Sequence, residues 1–433
     1  MMIVACSLTS AGARAQEPDR NLTSSPPIDR AAGLSLADAI ARAREREPAL
    51  RAARADVEVA RGQRVQSGLR PNPTTTVESR QEPGGTDSLF TVGIEWPLDL
   101  FRRGGRIATA DRQVEASRWS VADRERLLVA DVRTQYGRAA AAAREADLTA
   151  ELAATVDRQF GLLRARADEG AAARLDADRL EVELRRLQSQ RDLATGRAER
   201  AVIALKPMLG LEPQEPLQLR DTLEMLVGAP RQTPSTANAE GSLAERPDVQ
   251  AAARQVAIAD ARIEQAKREG RLDVSLTAGY MRMDAGFSQL GFSVSGLPER
   301  VRGQFNYVSV GAMVMLPVLN RNQGQLAAAQ ADRSGAEERQ RAVRLGAATE
   351  RAAAMARDTR ARQAMSAYGD ATRSLARRNL DAVRQTFELG RATMSDVLAE
   401  QQRYLEFESS HTATLLEAWE AHVERERASG DSK

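Results

Sequence analysis

The 433-residue chain is poor in the residues that do chemistry: it has one cysteine, two histidines and only three lysines. With Cys6 alone near the start, neither a disulfide framework nor a paired-cysteine metal site can form. His411 and His422 are eleven residues apart, which places them about 16 Å apart along one helix, too far for one metal ion. There is no glycine-rich phosphate loop either. Hydrolase, metalloenzyme and nucleotide chemistry therefore have no residue set to stand on, so no enzyme, cofactor or metal site is expected. Aromatic residues make up only 4%, too few for an ordinary globular core of this size. No apolar run reaches the length of a transmembrane helix. A chain of this kind that spans a membrane must do so as a β-barrel.

What is abundant is alanine, arginine, glutamate and leucine, the composition of long helices packed side by side. Sixty-two basic residues, fifty-nine of them arginine, face sixty acidic ones. The two signs alternate along helical stretches, which reads as salt-bridged, solvated faces and excludes a nucleic-acid partner. Residues 1–15 read as a signal peptide, with an apolar run from Met2 to Leu8 and small residues at Ala13 and Ala15. The missing positive n-region fits a start inside a longer signal. The other reading makes Ile3-Val4-Ala5-Cys6 a lipobox with Cys6 acylated. Residues 16–33 read as an extended leader.

Beyond the leader the chain is written twice. Glu47-Pro48-Ala49-Leu50 recurs as Arg246-Pro247-Asp248-Val249, an offset of 199. Trp96-Pro97-Leu98 recurs as Leu316-Pro317-Val318, and Glu169-Gly170 with Asp176 recurs as Leu389-Gly390 with Asp396, an offset of 220. The second copy thus carries an insertion between its first two landmarks. Such a repeat predicts a pseudo-symmetric pair of units: residues 34–205 and 244–427, joined by a proline-broken connector at 206–243 with little regular structure and followed by a tail at 428–433. In the first unit, helices with Ser35 as N-cap and Pro48 at a second start lead to strands at 74–80 and 88–98. A helix of roughly 65 residues, about 100 Å long, then runs to Gly170 and returns to about residue 205. In the second unit a helix at 247–269 precedes a strand at 273–283, a polar loop at 284–303 and a strand at 305–316. A helix of roughly 70 residues then runs to Gly390, with a return helix to about residue 427.

A helix that long needs a partner along its whole length. The two shorter helices of its unit nearly sum to it, so stacking them end to end beside it gives a coiled-coil layer about 100 Å tall. On the strands, Val274, Leu276, Ala278 and Tyr280 alternate with Ser275, Thr277 and Gly279, and Val308, Val310, Ala312 and Val314 alternate with Ser309 and Gly311. This is the apolar-out, small-or-polar-in dyad of a membrane barrel. Four strands cannot close one, and open edges are not tolerated in lipid, so oligomerisation follows. A trimer would give twelve strands and a lumen. A soluble four-stranded sheet with one buried face is the alternative, kept open by Thr74, Thr75, Thr76 and Glu78.

With these motifs in place the chain resembles the TolC family of outer-membrane efflux ducts over residues 34–427. The resemblance rests on the duplicated helix–hairpin–long helix plan, on Trp96-Pro97-Leu98 before a glycine and a long helix, and on Met208-Leu209-Gly210-Leu211. It rests most on the turn Phe387-Glu388-Leu389-Gly390-Arg391-Ala392-Thr393-Met394-Ser395-Asp396, with a weaker copy at residues 167–178. The fold implied is mainly α with a small membrane β portion: a homotrimeric twelve-stranded barrel in outer-membrane lipid, continued by a periplasmic α-helical tunnel. Also implied are docking to a periplasmic adaptor (a membrane fusion protein) and an inner-membrane pump of the RND type. Leu69-Arg70-Pro71-Asn72-Pro73 and Trp96-Pro97-Leu98-Asp99-Leu100 look most like the metal-efflux, CzcC-like branch, which implies divalent cations as substrate.

The candidate sites are therefore not catalytic. Gly170 and Gly390 read as positive-φ helix terminators that, with Thr393 and Ser395, form the periplasmic tip where partners dock. Asp396 is either a capping carboxylate for the helix that follows or, with Asp176, part of a ring at the tunnel's narrow end that favours cations. Ala173 stands where the second copy has Thr393, so the two tips are not expected to be equivalent. The competing function is a soluble periplasmic coiled-coil adaptor or scaffold, which normally has one helical hairpin where this chain has two.

Overall fold

The computed structural model describes residues 28–29, 31–83, 85, 87–228 and 243–430. The signal and lipidation expectations at residues 1–15 and Cys6, most of the leader, the second part of the connector and the last tail residues lie outside them.

Local sequence signals set the helix starts. The Ser35 hydroxyl accepts the Asp38 N–H at the head of α1 (Leu36–Arg46). Pro48 opens α2 (Pro48–Gly68) at the one position where a missing N–H costs nothing. Strands β1 (Thr74–Gln81) and β2 (Ser88–Pro97) follow, then α3 (Arg103–Asp168), a helix of 66 residues. It returns as α4 (Arg174–Leu205). After α5 (Leu223–Gly228) the plan repeats as α6 (Pro247–Glu269), β3 (Asp273–Phe292), β4 (Pro298–Met315), α7 (Gln323–Ser366), α8 (Asp370–Glu388) and α9 (Met394–Ser429). Helix α3 is the spine: α2, α4, α6 and α9 all pack along it. Alanine is the commonest residue on its buried face, with a run at Ala139, Ala140, Ala141 and Ala143, so its partners approach closely. Gly105 and Gly137 are the extreme cases. A Cβ on Gly105 would sit 2.9 Å from the Gln265 backbone, and one on Gly137 would sit 2.2 Å from the Trp419 ring. The Trp419 indole N–H donates to the Arg133 carbonyl at 2.8 Å, which fixes that ring against the spine.

The largest core lies midway along the molecule, where α1, the start of α2, α3, α4, α5 and α9 meet. The described part of the connector is more ordered than its prolines suggest. Residues Lys206–Leu209 form a 3-10 turn that ends at Gly210, whose φ of 63° and close approach to the Arg46 carbonyl exclude a side chain. Leu219 makes parallel bridges to Ile28 and Leu34, so the end of the leader is tied to the connector. Fully buried Tyr136 locks the two together: its hydroxyl donates to the Leu34 carbonyl at 2.8 Å and accepts from the Asp221 N–H at 3.1 Å. Burial pushes its pKa up to about 12.

The second unit departs from expectation twice. Its long helix is broken between Ser366 and Asp370. At the break Tyr368 stacks on His411, with ring centroids 5.6 Å apart, and contacts the Phe407 ring. Beside it, fully buried Glu408 accepts from Arg144 Nη2 at 2.9 Å and from Arg373 Nε at 2.8 Å. Gly369, the extended N-cap of α8, supplies a local weak point, and these tertiary contacts surround it. The second departure is the polar segment at 284–303, which is a ladder and not a loop. Strands β3 and β4 continue through it with one register shift between Gly286 and Leu290. Gly296, at φ 77°, turns the hairpin, and the Phe287 and Phe305 rings meet edge-on across the ladder. Backbone pairing needs no apolar alternation, so strand periodicity could not report it. The four strands form one antiparallel sheet in the order β1-β2-β3-β4, and its two outer edges have no partner among the described residues.

Replacing Tyr136 with Phe leaves the buried Asp221 N–H without its acceptor, while the Leu34 carbonyl keeps the Arg220 N–H. The expected loss is about 1–3 kcal/mol, read as a lower urea midpoint of the purified protein at unchanged m-value. A neutral result would show that the leader–connector clamp is not under load.

Candidate partner-docking tips and conduit face

Both helical hairpins end in the same turn. At the first, Gly170 has φ 78°, its N–H donates to the Ala167 carbonyl at 3.1 Å, and the Ala171 N–H donates to Arg166 at 2.7 Å. At the second, Gly390 has φ 73°, and the matching bonds run from Gly390 to Phe387 and from Arg391 to Thr386, each at 2.9 Å. This is the Schellman arrangement, which satisfies the last helical carbonyls only if one residue adopts a left-handed conformation. A Cβ at either glycine would meet nothing within 4 Å. Conformation, not crowding, selects glycine here.

The helix starts after these turns differ. The Thr393 hydroxyl accepts the Asp396 N–H at 3.3 Å and donates to the Asp396 carboxylate at 2.6 Å, while the Thr393 N–H donates to that carboxylate at 2.8 Å. This capping box holds the Asp396 carboxyl below the usual aspartate range, the side-chain hydroxyl contributing more than the N–H. At the first tip Ala173 is the N-cap and offers no side chain, and the Asp176 N–H meets only the Ala173 carbonyl at 3.1 Å. The two tips lie together. Met394 and Val397 share one apolar cluster with Leu163, Ala167, Ala177 and Leu180, and Arg179 donates to the Ser395 hydroxyl at 3.3 Å. Sequence reasoning named Ser395 but not Arg179, whose partner is 216 residues away.

The sheet has two chemically distinct faces. Phe90, Ile94 and Trp96 of β2, Leu276 and Tyr280 of β3, and Val308, Val310 and Val314 of β4 are exposed on one. By the register, Thr76, Glu78, Thr91, Gly93, Glu95, Thr277, Gly279, Ser309 and Gly311 fall on the other, together with Met281, Met313 and Met315. The histidines belong to neither region. His411 is buried against Tyr368 beside Arg144, and His422 lies 3.1 Å from Glu426. Among the described residues no three of His, Cys, Asp or Glu are placed to hold a metal, and no helix is long and apolar enough to cross a membrane.

Thr393→Ala is expected to raise amide exchange over the first turn of α9 roughly fivefold, the size of a lost N-cap. Ala173→Thr should lower it by a similar factor in α4, because Asp176 already stands in the matching position. Because folding depresses the Asp396 pKa, the cap should hold above the ordinary aspartate value of about 3.9 and weaken only as pH falls through its lower folded value. Exchange in α9 that rises between pH 7 and pH 5 would contradict this account.

The pattern of the family described as outer membrane efflux protein matches the chain twice, over residues 39–211 and 239–421. The two matches reproduce the duplication. Among solved structures, a membrane protein from Pseudomonas aeruginosa aligns with TM-score 0.72 and 22% identity, over 91% of this chain and 92% of its own. The CusC channel aligns with TM-score 0.74 and 17% identity, over 92% of each chain. The open-state MtrE outer membrane channel of Neisseria gonorrhoeae aligns with TM-score 0.72 and 20% identity, over 91% of this chain and 88% of its own. No curated protein matches the chain. Members of the matched family are transport ducts and not enzymes. A family pattern that recurs in order over both halves, on the fold of solved efflux channels, places this chain in the outer membrane efflux protein family.

Proposed function

We propose that the chain is one third of a passive exit duct in the outer membrane, receiving substrate from an inner-membrane pump, of the RND type, through a periplasmic adaptor. The observation that carries this is the sheet: one apolar exposed face, one small-and-polar face, and two unpaired edges. Backbone groups on those edges cannot be left unsatisfied in lipid. Pairing β4 of one copy with β1 of the next, three times, closes twelve strands with the apolar face outward. The helices support the same stoichiometry. Leu175, Val182 and Leu193 of α4 are 59%, 71% and 66% exposed, and at 100° per residue they fall within about 20° of one another on the helix. Such a stripe calls for a neighbouring copy along the tunnel wall. The tips, with Gly170, Gly390, Thr393 and Ser395, are the docking surface for the adaptor.

The substrate reading is divalent metal cations. It is supported by the likeness of residues 69–73 and 96–100 to the metal-efflux branch, and by carboxylates on the small-and-polar sheet face at Glu78 and Glu95. At the tips, Asp176 and Asp396 from three copies form a ring that favours cations, a role compatible with capping because the box leaves Asp396 ionised.

Detergent extraction and sizing test the duct. A trimer that leaves the membrane fraction only with detergent is expected, and a soluble monomer would replace the duct with an adaptor or scaffold. For the ring, Asp176→Asn with Asp396→Asn should lower the cation-over-anion permeability ratio of the reconstituted pore severalfold. An unchanged ratio would confine both carboxylates to capping.

A further inference from the structure

Four short segments meet where the sheet gives way to helices: 69–73, 98–106, 267–273 and 316–323. All adjoin the same end of the sheet, since β1 starts and β2 ends there, and Asp273 pairs with Met315. These segments hold eight basic residues and three acidic ones. Two of the acids are consumed internally: Asp99 is buried against Arg106, and Asp273 pairs with Arg102 at 3.1 Å. Arg70, Arg271 and Arg321 are exposed and form no ion pair among the described residues. Arg103 donates to the Gly68 carbonyl and leaves the rest of its guanidinium facing outward.

Exposed apolar side chains are interleaved with these cations. Leu316 and Val318 are each 66% exposed and Leu319 is 90% exposed. The loop that carries them is not slack. Asn322 adopts φ 62° and donates from its amide to the Ala266 carbonyl at 3.0 Å. The Arg321 carbonyl sits so close to Gly270 that a Cβ there would be 2.3 Å away. Arg102, Glu269, Arg271, Leu316, Val318 and Leu319 are among the residues that line a cleft of about 420 Å³. A held apolar wall beside unpaired guanidinium groups has the chemistry of a lipid site: the wall takes an acyl chain and the arginines take a phosphate.

Resting on the reading that the sheet spans a bilayer, we infer that this collar binds an anionic phospholipid from the membrane leaflet nearest the helices. Arg271 and Arg321 hold the headgroup phosphate, Arg70 and Arg103 add to the positive field, and the first acyl carbons lie on Leu316, Val318 and Leu319. Charge complementarity chooses this occupant over a neutral lipid, because Arg70, Arg103, Arg271 and Arg321 outnumber Glu269, the one carboxylate lining the cleft, and nearby Glu264 is already paired with Lys267.

The test uses the full-length protein in bilayer nanodiscs of phosphatidylcholine containing a minority of phosphatidylglycerol, with retained lipid counted by native mass spectrometry. Wild type should retain phosphatidylglycerol about fivefold above its mole fraction. Arg271→Gln with Arg321→Gln should retain both lipids in the bulk ratio, and the matching Arg→Lys pair should recover much of the preference. Equal retention of both lipids by the wild type overturns the inference, and this arm decides it even if the variants do not fold. So does an undiminished preference in the glutamine variant. Millimolar inorganic phosphate that strips the lipid would show a phosphate site and not a lipid site. A trimer lost in detergent on Leu319→Asp, with lipid preference intact, would show that a second copy covers the wall. Insertion without lipid preference defeats this inference alone, whereas failure to insert defeats the duct reading beneath it.

Discussion

A 66-residue helix cannot stand alone in water, and the need to cover α3 governs how α2, α4, α6 and α9 are placed. Its stripe is rich in alanine, with Gly105 and Gly137 at the closest approaches, so partners are drawn in to near backbone distance. Little apolar area is buried per residue by such small side chains. The compensation is length: α2, α4, α6 and α9 line the spine in tandem. Precision is supplied at a few larger groups. Trp419 against Gly137 and Tyr136 between Leu34 and Asp221 occupy the middle of the spine, where α1, α2, α4, α5, α9 and the connector converge. Among the described residues that crossing point is the largest core, and the apolar cluster at the tips is the next.

Charge finishes what apolar packing leaves undone. Most ion pairs are exposed and individually worth little, but those at the helix break are not. Glu408 is out of water, and burial lowers the pKa of Arg144 beside it, with Arg373 adding to the effect. A buried carboxylate with only one guanidinium would be costly; with Arg144 and Arg373 both donating, it is satisfied. The break in the second long helix brings Arg373 to this position, and the unbroken spine of the first unit supplies Arg144. The two units thus meet through a polar contact that neither makes alone.

Much of this was legible in the sequence, and what was not has a common cause. Helix starts at Ser35 and Pro48, terminators at Gly170 and Gly390, and the unequal caps at Ala173 and Thr393 depend on residues within four positions of one another, so reading along the chain finds them. The break at residues 367–369 depends on Tyr368 meeting Phe407 and His411, and on Glu408 meeting Arg144, 264 residues away. The one local signal there is Gly369, the N-cap of α8, and an isolated glycine in a helical pattern does not by itself announce a break. The extension of the second hairpin was missed because apolar alternation reports which face a strand buries, and residues 284–303 bury neither. The order in the connector was hidden by its prolines, which forbid helix interiors but not the bridges of Leu219.

The unequal tips follow from the same logic. A duplicated turn that only closed a hairpin would be free to drift, yet both copies keep the left-handed glycine that closure demands. What differs is the start of the helix beyond it. The capped start at Thr393 is held by three side-chain hydrogen bonds between Thr393 and Asp396, two of them to the carboxylate, besides its backbone bonds. The start at Ala173 has a single backbone bond. An opening at the tips would therefore strain α4 before α9, because a turn yields where it has the fewest bonds to lose. Arg179, reaching from α4 to Ser395, ties the looser tip to the firmer one. Movement of the first hairpin must then either carry the second with it or break that bond.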